Sequence, residues 1–240
     1  MRKAIVTGHS RGLGAAIADE LTARGIPVLG VARSARGDFP NTKGSAQQTV
    51  DLADSAALSR WIASGALGHF VADADPVLLV NNAGMLQPIG PLETQEHETI
   101  ARAVTVNVAA PLVLSSAFVK ATKHTRDRRI LHISSGAARN PYAGWSVYCA
   151  TKAALDLHAR AVALDATPAL RISSVAPGVI DTEMQTEIRA TTVEKFPQRR
   201  RFEELKRRGE LQEPADVARR LVDYLLDDAF GAEPVADLRA

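Results

Sequence analysis

A tyrosine and a lysine stand four residues apart in the stretch GWSVYCATKAAL, as Tyr148 and Lys152. Positions i and i+4 lie one above the other on a helix, so both side chains can reach a common point. A phenol is a proton donor with an ordinary pKa of ~10, and an ammonium ~4 Å away stabilises its phenolate by about 4 kcal/mol at an effective dielectric near ~20. That energy corresponds to a pKa about three units lower. The pair therefore predicts a phenol tuned to exchange a proton near neutral pH.

A hydroxyl group is a candidate for the same chemistry. Ser135 directly follows the strand-like run RILHIS. A side chain at the carboxyl end of a parallel strand faces the crevice where open α/β sheets bind ligands. Ser135 could therefore hydrogen-bond a carbonyl oxygen and orient it toward the phenol, and Ser134 is the neighbouring alternative. A Tyr-x-x-x-Lys spacing by itself is more often a surface pair, so the interpretation depends on what else converges there.

A glycine-rich turn, TGHSRGLG (7–14), stands between the first predicted strand and the first predicted helix. Glycines accept positive φ angles and let the backbone approach a ligand, while a helix N-terminus offers unpaired N–H groups to an anion. Gly8, Gly12 and Gly14 are spaced more widely than in the G-x-G-x-x-G fingerprint. A plain tight turn is the alternative. The position at the first βα junction favours a turn that binds the phosphates of a dinucleotide.

The end of the second predicted strand indicates which dinucleotide binds. An NAD site has an acidic side chain there, about 20 residues beyond the glycines, which accepts from the ribose 2′-hydroxyl. Here VLGVARS places Arg33 and Ser34 at that position, and Arg11 in the glycine turn supplies a second guanidinium. Arginine matches phosphate geometry, whereas a carboxylate would repel a 2′-phosphate. The sequence therefore predicts NADP(H) as the cofactor.

The elements that position these residues follow from the hydrophobic pattern. Short β-branched runs predict strands and 3.6-residue patterns predict helices. Predicted strands cover 3–7, 27–32, 47–51, 76–80, 128–134, 170–176 and 233–237, and predicted helices cover 12–25, 54–64, 95–123, 146–166 and 214–227. Strands that are apolar on both faces and alternate with helices are typical of a covered parallel sheet. We predict one α/β domain over 1–240, a Rossmann-type doubly wound parallel sheet of about seven strands with helices on both faces.

One segment interrupts the alternation of strands and helices. Residues 183–211 are polar and basic, and they precede the last predicted helix. A solvated surface excursion and a substrate lid over the site both explain this composition.

Composition argues against several other classes of protein. Hydrophobic residues make up 46% and charged residues 23%, as in ordinary globular domains, and a net charge of +2 does not predict binding to nucleic acid. The apolar stretch 104–119 contains polar residues and a proline, and it falls short of the ~20 apolar residues of a membrane span. The single cysteine, Cys149, allows no intrachain disulfide, and the six histidines have no metal-ligand spacing. With an apolar run after MRK too short for a signal peptide, we expect a cytoplasmic protein without a metal or a membrane partner.

Several motifs follow one another over nearly the whole chain. They are TGHSRGLG, Asp51 with Leu52, NNAG (81–84), Asn107, Ser135, Tyr148 with Lys152, and PGVIDT (177–182). Together they resemble the short-chain dehydrogenase/reductase family. The resemblance implies an NADP-dependent oxidoreductase in which Tyr148 is the general acid, Lys152 tunes it, and Ser135 orients the carbonyl. It also implies that Asn107 supports Lys152 through a water.

The resemblance further assigns residues to the cofactor and to the substrate. It implies that Gly8, Ser10, Arg11 and Leu13 line the pyrophosphate and ribose, with Gly12 and Gly14 in the same turn, that Arg33 and Ser34 hold the 2′-phosphate, that Asp51 and Leu52 flank the adenine, that Asn82, Ala83 and Gly84 follow the adenosine, and that Ile180, Thr182, Tyr148 and Lys152 meet the nicotinamide end. Gly178 would line the substrate pocket with its backbone. Trp145 would line that pocket or pack in the core, and Asp237 would anchor the substrate only if a short insertion is allowed.

Within the family, the second half of the chain is similar to the sepiapterin reductases and to related bacterial reductases of benzil. The similar segments are GWSVYCATKAALD, APGVIDTEMQ and FEELKRRGEL. This implies a small ketone, a diketone or a pterin side-chain carbonyl as the substrate. Two alternatives stay open: an NADP(H)-binding sensor without turnover, and a 3-oxoacyl-carrier-protein reductase, whose Gly-rich C-terminal tail is absent here. The helices 95–123 and 146–166 resemble those that pair subunits in this family, which implies a homodimer or homotetramer.

Overall fold

The computed structural model describes residues 1–40 and 42–239, and its centre is a seven-stranded sheet. The strands are β1 (Lys3–Thr7), β2 (Val28–Ala32), β3 (Ala46–Thr49), β4 (Val77–Asn81), β5 (Arg128–Ile133), β6 (Leu170–Ala176) and β7 (Val235–Asp237). Their spatial order is β3-β2-β1-β4-β5-β6-β7, and each neighbouring pair is parallel. β2 and β4 are buried along their whole length, which explains their continuous apolar sequences. The predicted Rossmann-type doubly wound sheet is confirmed.

Helices cover both faces of this sheet. They are α1 (Gly12–Ala23), α2 (Ser55–Ala63), α3 (Ala66–Val71), α4 (His97–Val104), α5 (Ala110–Ala121), α6 (Ser146–Leu164), α7 (Glu183–Ala190), α8 (Arg199–Arg207) and α9 (Pro214–Leu226). α1 and α9 pack on one face, where Ile17 and Leu221 are buried. α2, α3, α5 and α6 pack on the other face through residues such as Leu58, Leu114 and Ala159. The sheet therefore has two apolar cores, one on each side.

The structure contains helices that the sequence pattern does not predict. The pattern does not predict α3, because its six residues are too few to show a helical period. The segment 183–211, which is polar in sequence, contains two helices, α7 and α8. Ile188, Phe196 and Phe202 in this segment are buried. These few apolar side chains fix its position on the domain.

A π-helical turn, Thr105–Ala109, interrupts the predicted helix 95–123 between α4 and α5. The N–H of Ala110 donates to the carbonyl of Thr105, five residues back. Pro111 follows and has no N–H to give to the carbonyl of Asn107, which favours a wider turn at this point. π-turns often occur at functional sites. This one carries Asn107.

The helical run His97–Ala121, which includes this turn, is long and apolar enough by length and composition to cross a membrane. It extends beyond the stretch 104–119, so the sequence-based conclusion that the run is too short is corrected. Within it, Ala110, Leu114 and Phe118 are buried in the core between helix and sheet. Such packing is typical of a core helix of an α/β domain.

Candidate active site

The carboxyl ends of the central strands open into one cleft of about 1070 Å³. This is the edge at which doubly wound sheets bind ligands. The predicted site residues that line it are Gly8, Ser10, Arg11, Gly12, Leu13, Gly14, Arg33, Ser34, Asp51, Leu52, Asn82, Ala83, Gly84, Ser135, Trp145, Tyr148, Lys152, Gly178, Ile180 and Thr182. Asn107 and Asp237 are outside this lining. The fold thus brings nearly all of the predicted site residues together from distant parts of the chain.

Three polar side chains meet where β5 ends. Tyr148 and Lys152 lie one turn apart on α6, and only 7% and 5% of their surfaces are exposed. The Nζ of Lys152 donates to the carbonyl oxygen of Ile133 at 2.8 Å and lies 5.8 Å from the centre of the Tyr148 ring. The hydroxyl of Ser135 lies beside the phenol and accepts from the N–H of Ala137 at 3.1 Å. A phenol, a hydroxyl and an ammonium therefore share one end of the cleft.

Burial dominates the acidity of Tyr148. Removal from water raises the pKa of the phenol to about 12, and the hydrogen bond with Ser135 acts in the opposite direction without offsetting it. Burial also lowers the pKa of Lys152 to about 8, while the charge of Asp156 opposes that shift. The expectation that Lys152 lowers the phenol pKa by about three units is therefore wrong for the chain by itself. The Lys152 ammonium is hydrogen-bonded to the Ile133 carbonyl, and the cost of desolvating a phenolate exceeds the attraction between the phenolate and this ammonium.

Asn107 joins two parts of the site from the π-turn. Its Oδ1 accepts from the N–H of Met85 at 2.8 Å, and its Nδ2 donates to the Met85 carbonyl at 2.8 Å and to the Thr151 hydroxyl at 3.1 Å. A Cβ atom on Gly84 would lie 3.5 Å from Asn107 Oδ1 and 3.6 Å from Lys152 Nζ. The amide and the ammonium therefore border the same small space. Support of Lys152 through a water stays a prediction.

The glycine turn is packed too tightly for side chains. A Cβ atom on Gly14 would lie 2.2 Å from the carbonyl oxygen of Gly8, and one on Gly8 would lie 2.9 Å from Cα of Ala83. Gly8 and Gly12 have φ angles of +70° and +54°, which favour glycine. The spacing of these glycines therefore follows from the backbone path.

Polar contacts fix this turn against the NNAG segment. The Thr7 hydroxyl accepts from the N–H groups of Asn82 and Ala83, both at 3.0 Å, and Asn82 Nδ2 donates to the Thr7 carbonyl at 3.0 Å. In the described chain no side chain caps the N-terminus of α1 after Arg11. The first N–H groups of α1 are therefore available to a phosphate, as this kind of turn requires.

The arginines at the nucleotide end of the cleft have different partners. Arg33 is exposed at the end of β2, and within residues 1–40 and 42–239 it forms no ion pair with a carboxylate. Arg11 pairs with Glu183 at the start of α7. Arg102 on α4 donates to Asp51 at 3.2 Å. Burial acts to raise the pKa of Asp51, but its hydrogen bonds with the Ala53 N–H and with Arg102 outweigh burial and lower it.

An aromatic cluster forms the other end of the cleft. Trp145 is 4% exposed and stacks on Phe196 with ring centres 4.4 Å apart. Its ring also lies 5.2 Å from Tyr142, 5.4 Å from Tyr148 and 5.5 Å from Phe202. Trp145 therefore both lines the cleft and packs in a core, the two possibilities that the sequence left open. Phe196 and Phe202 come from the segment 183–211.

Asp237 presents no free carboxylate to the cleft. Its carboxylate accepts from the backbone N–H of Arg239 at 3.0 Å and from the Arg239 guanidinium at 2.6 and 2.9 Å. Arg239, rather than Asp237, lines the cleft, near Gly178. This geometry does not favour Asp237 as a substrate anchor.

Comparison with known proteins places the chain in a family. The family model for short chain dehydrogenases matches residues 2–193. The chain belongs to the short-chain dehydrogenase family. It is 36% identical to a benzil reductase ((S)-benzoin forming) from Bacillus cereus, over 96% of both chains. It is 30% identical to sepiapterin reductase from Bos taurus, over 94% of this chain and 90% of that one. A crystal structure of a short-chain dehydrogenase/reductase from Burkholderia vietnamiensis is 51% identical and has a TM-score of 0.70, covering 99% of this chain and 98% of that chain.

A short-chain dehydrogenase is an oxidoreductase that binds a nicotinamide cofactor. The cleft fits such a group. The backbone at Gly8 and Gly14 leaves no room for side chains, the start of α1 has open N–H groups, and Lys152 lies deep in the same cleft. Among the described residues, no three His, Cys, Asp or Glu side chains are placed to share a metal ion.

Sequence reasoning missed several residues that line the cleft of this short-chain dehydrogenase. Met85 and Leu86 directly follow NNAG, so their position next to a motif was an available signal. Arg239 is two residues from Asp237 and could have been considered with it. Arg102 had no local signal, because only the fold brings it to Asp51.

Proposed function

We propose that this short-chain dehydrogenase is an NADP(H)-dependent carbonyl reductase in which Tyr148 donates the proton to the reduced oxygen. The convergence of the buried Tyr148 phenol, the Ser135 hydroxyl and the Lys152 ammonium in one cleft carries the proposal. The cofactor, when bound, supplies the hydride and positive charge beside the reacting carbon after transfer. The chain supplies the proton and orients the carbonyl.

Protonation favours this assignment. Because its pKa is raised to about 12, Tyr148 keeps its proton at neutral pH, which is the state that a general acid needs before reduction. The Ser135 hydroxyl can donate to the substrate carbonyl oxygen and hold it beside the phenol. As the proton leaves, negative charge develops on the Tyr148 oxygen, and the Lys152 ammonium is the nearby cation that stabilises it.

The nucleotide end of the cleft supports NADP(H) over NAD(H). Arg33 is exposed and forms no ion pair with any carboxylate in the described ranges, and Ser34 beside it adds a hydroxyl donor. The side chain that ends this strand is thus a cation rather than the acid of an NAD site. A 2′-phosphate would be its counter-ion.

The aromatic cluster supports a substrate with an aryl group. Tyr142, Trp145 and Phe202 line the cleft next to Tyr148, and flat rings stack well against such surfaces. The relatives named benzil reductase and sepiapterin reductase agree with a dicarbonyl or pterin-type substrate. We propose an aryl diketone as the best-fitting class, with a pterin side-chain carbonyl as the second.

The test measures NADPH consumption with benzil, an aliphatic diketone and sepiapterin. We expect turnover with benzil, and we expect Tyr148→Phe to abolish it while NADPH still binds by fluorescence titration. Tyr224→Phe is the matched control, since Tyr224 is outside the cleft lining and its hydroxyl is hydrogen-bonded to Ser173. A near-normal rate in Tyr148→Phe would refute the assignment. NADPH binding without turnover of any carbonyl would favour a sensor, and turnover only of 3-oxoacyl thioesters would favour the acyl-carrier reductase.

Three further predictions belong to this proposal. The segment 183–211 would act as a substrate lid, since Phe196 and Phe202 attach it to the aromatic cluster. A homodimer or homotetramer would cover the exposed apolar side chains Val113, Leu157 and Leu164 on α5 and α6. A cytoplasmic location, with no nucleic-acid or membrane partner, stays a prediction.

A further inference from the structure

A carboxylate one turn beyond the lysine has no function in the mechanism above. Asp156 follows Lys152 by four residues on α6, as Lys152 follows Tyr148. All three side chains are buried and lie on one face of the helix. Asp156 is outside the lining of the cleft, so it can act on the reaction only through other residues.

The contacts of Asp156 connect three elements. Its Oδ1 accepts from the hydroxyls of Ser134, at the end of β5, and Ser174, on β6, both at 2.7 Å. Its Oδ2 has no hydrogen-bond partner in the described chain, and the Nε of Arg139 lies 3.6 Å away. Asp156 thus accepts two short hydrogen bonds and pairs loosely with Arg139, and its negative charge also acts on Lys152.

Successive residues at the end of β5 contact successive turns of α6. The carbonyl of Ile133 accepts from Lys152, the hydroxyl of Ser134 donates to Asp156, and the next residue, Ser135, lies beside the Tyr148 phenol. The last residue of β5 and the two residues that follow it therefore contact three side chains spaced one turn apart on the helix. Loss of the middle contact would free the strand end that carries the carbonyl-orienting hydroxyl.

We infer that Asp156 is a positioning residue, which sets the register of the β5 end against α6 and maintains Lys152 as an ammonium ion. The inference rests on the proposed function for its effect on catalysis. It is independent of that function for its effect on the lysine.

Among the groups around Lys152, Asp156 is the one whose charge keeps the lysine protonated. Burial acts to remove the proton of Lys152, and the charge of Asp156 is what opposes it. From β5, His132 faces the lysine, but burial lowers its pKa to about 3 and keeps it neutral. The Tyr148 phenol on α6 is neutral as well, and Arg139 is positive. Asp156 is thus the one negative charge in this set.

The direct test is the titration of Lys152 in the cofactor-free protein. The chain has seven lysines, so NMR of isotopically labelled lysine side chains can follow them, with the Lys152 signal assigned by its loss in Lys152→Met. Asp156→Asn keeps the shape and an oxygen acceptor but removes the charge. We expect the Lys152 midpoint to fall by about one pH unit, as a lost unit charge at this range would produce. Asp165→Asn, an exposed carboxylate at the end of the same helix, is the matched control and should leave the midpoint unchanged.

Arg139→Gln gives a test of opposite sign. Removing this cation removes a positive charge that repels the Lys152 ammonium, so the Lys152 midpoint should rise. An unchanged midpoint in folded Asp156→Asn would overturn the electrostatic part, whatever Arg139→Gln does. If Asp156→Asn does not fold, Asp156→Ser replaces it, because any neutral residue at this position should lower the Lys152 midpoint.

Ser174→Ala separates positioning from charge. It removes one of the two donors to Asp156 but leaves the carboxylate, so kcat should fall about fivefold, the equivalent of one hydrogen bond. The Lys152 midpoint and the KM for NADPH should stay as in the wild type. An unchanged kcat would remove the positioning part. If the wild type reduces no carbonyl, the proposed function fails, while the lysine titration still decides the role of Asp156.

Discussion

The preference for NADP(H) depends in our proposal on one guanidinium, that of Arg33. The other two arginines near the nucleotide end have carboxylate partners, Arg11 with Glu183 and Arg102 with Asp51. Arg33 has no such partner among residues 1–40 and 42–239. Arg33 still acts on Asp51 through its charge, but it is the one cation of the three without a carboxylate at ion-pair distance in the described ranges, and replacing it by alanine removes that cation.

The magnitude follows from the exposure of Arg33. A hydrogen bond to a charged group contributes ~1.5–3 kcal/mol, and the lower end of that range suits a solvent-exposed side chain. A loss of about 1.5–2 kcal/mol weakens NADPH binding roughly 10- to 30-fold. NADH has no 2′-phosphate, so its affinity should not change. Because salt screens exposed charges over ~10 Å at 0.1 M ionic strength, the difference should shrink as salt is added.

The assay is a fluorescence titration of NADPH and NADH with wild type, Arg33→Ala and Arg60→Ala. Arg60 is an exposed arginine on α2, outside the cleft lining, and controls for the loss of a surface charge. We expect NADPH affinity to fall only in Arg33→Ala. NADPH affinity within twofold of wild type, or an equal loss for NADH, would refute the reasoning.

Three other substitutions test the site and its support. Gly14→Ala would place a Cβ atom 2.2 Å from the Gly8 carbonyl, so we expect loss of measurable NADPH binding in a titration. Lys152 has a pKa of about 8 when folded and 10.5 in its ordinary state, so the unfolded chain holds more protons between these values and wild-type stability rises over that pH window. Lys152→Met removes this pH dependence. At pH 7 it relieves the cost of burying an ammonium but loses the hydrogen bond to Ile133, so the free energy of unfolding should rise by about 2 kcal/mol. Denaturant titrations at increasing pH should show this gain vanish by about pH 10.5. Phe196→Ala empties a fully buried site and should lower that free energy by about 3–5 kcal/mol, measured in the same way.

Much of the site was predictable because its signals are local. Tyr148 and Lys152 share a helix face by spacing alone, and Ser135 follows a recognisable strand. The glycine turn is determined by the close approach of Gly14 to the neighbouring backbone, which no other residue type permits. The parallel sheet covered by helices on both faces followed equally from the alternation of strands and helices.

The remaining features depend on contacts between distant segments. Phe196 stands in a polar stretch, and nothing near it in sequence indicates that its ring stacks on Trp145. The Arg102 partner, Asp51, is 51 residues away. The π-turn at Asn107 has a local cause in Pro111, but its two bonds to Met85 follow only from the loop after β4.

The acidity of Tyr148 shows why a correct pairing led to a wrong pKa. The sequence-based estimate counted the attraction between phenolate and ammonium but not the removal of both from water. The helix face that brings Tyr148 and Lys152 together is the face that buries them, so proximity and desolvation arise from the same packing. Desolvation disfavours both charges, which raises the pKa of Tyr148 and lowers that of Lys152. The resulting site holds a protonated phenol beside a lysine whose pKa is about 8. In the mechanism that we propose, this protonated phenol is the form that donates to the reduced oxygen. Under that proposal, the Lys152 ammonium stabilises the negative charge that develops on the phenol oxygen as the proton leaves.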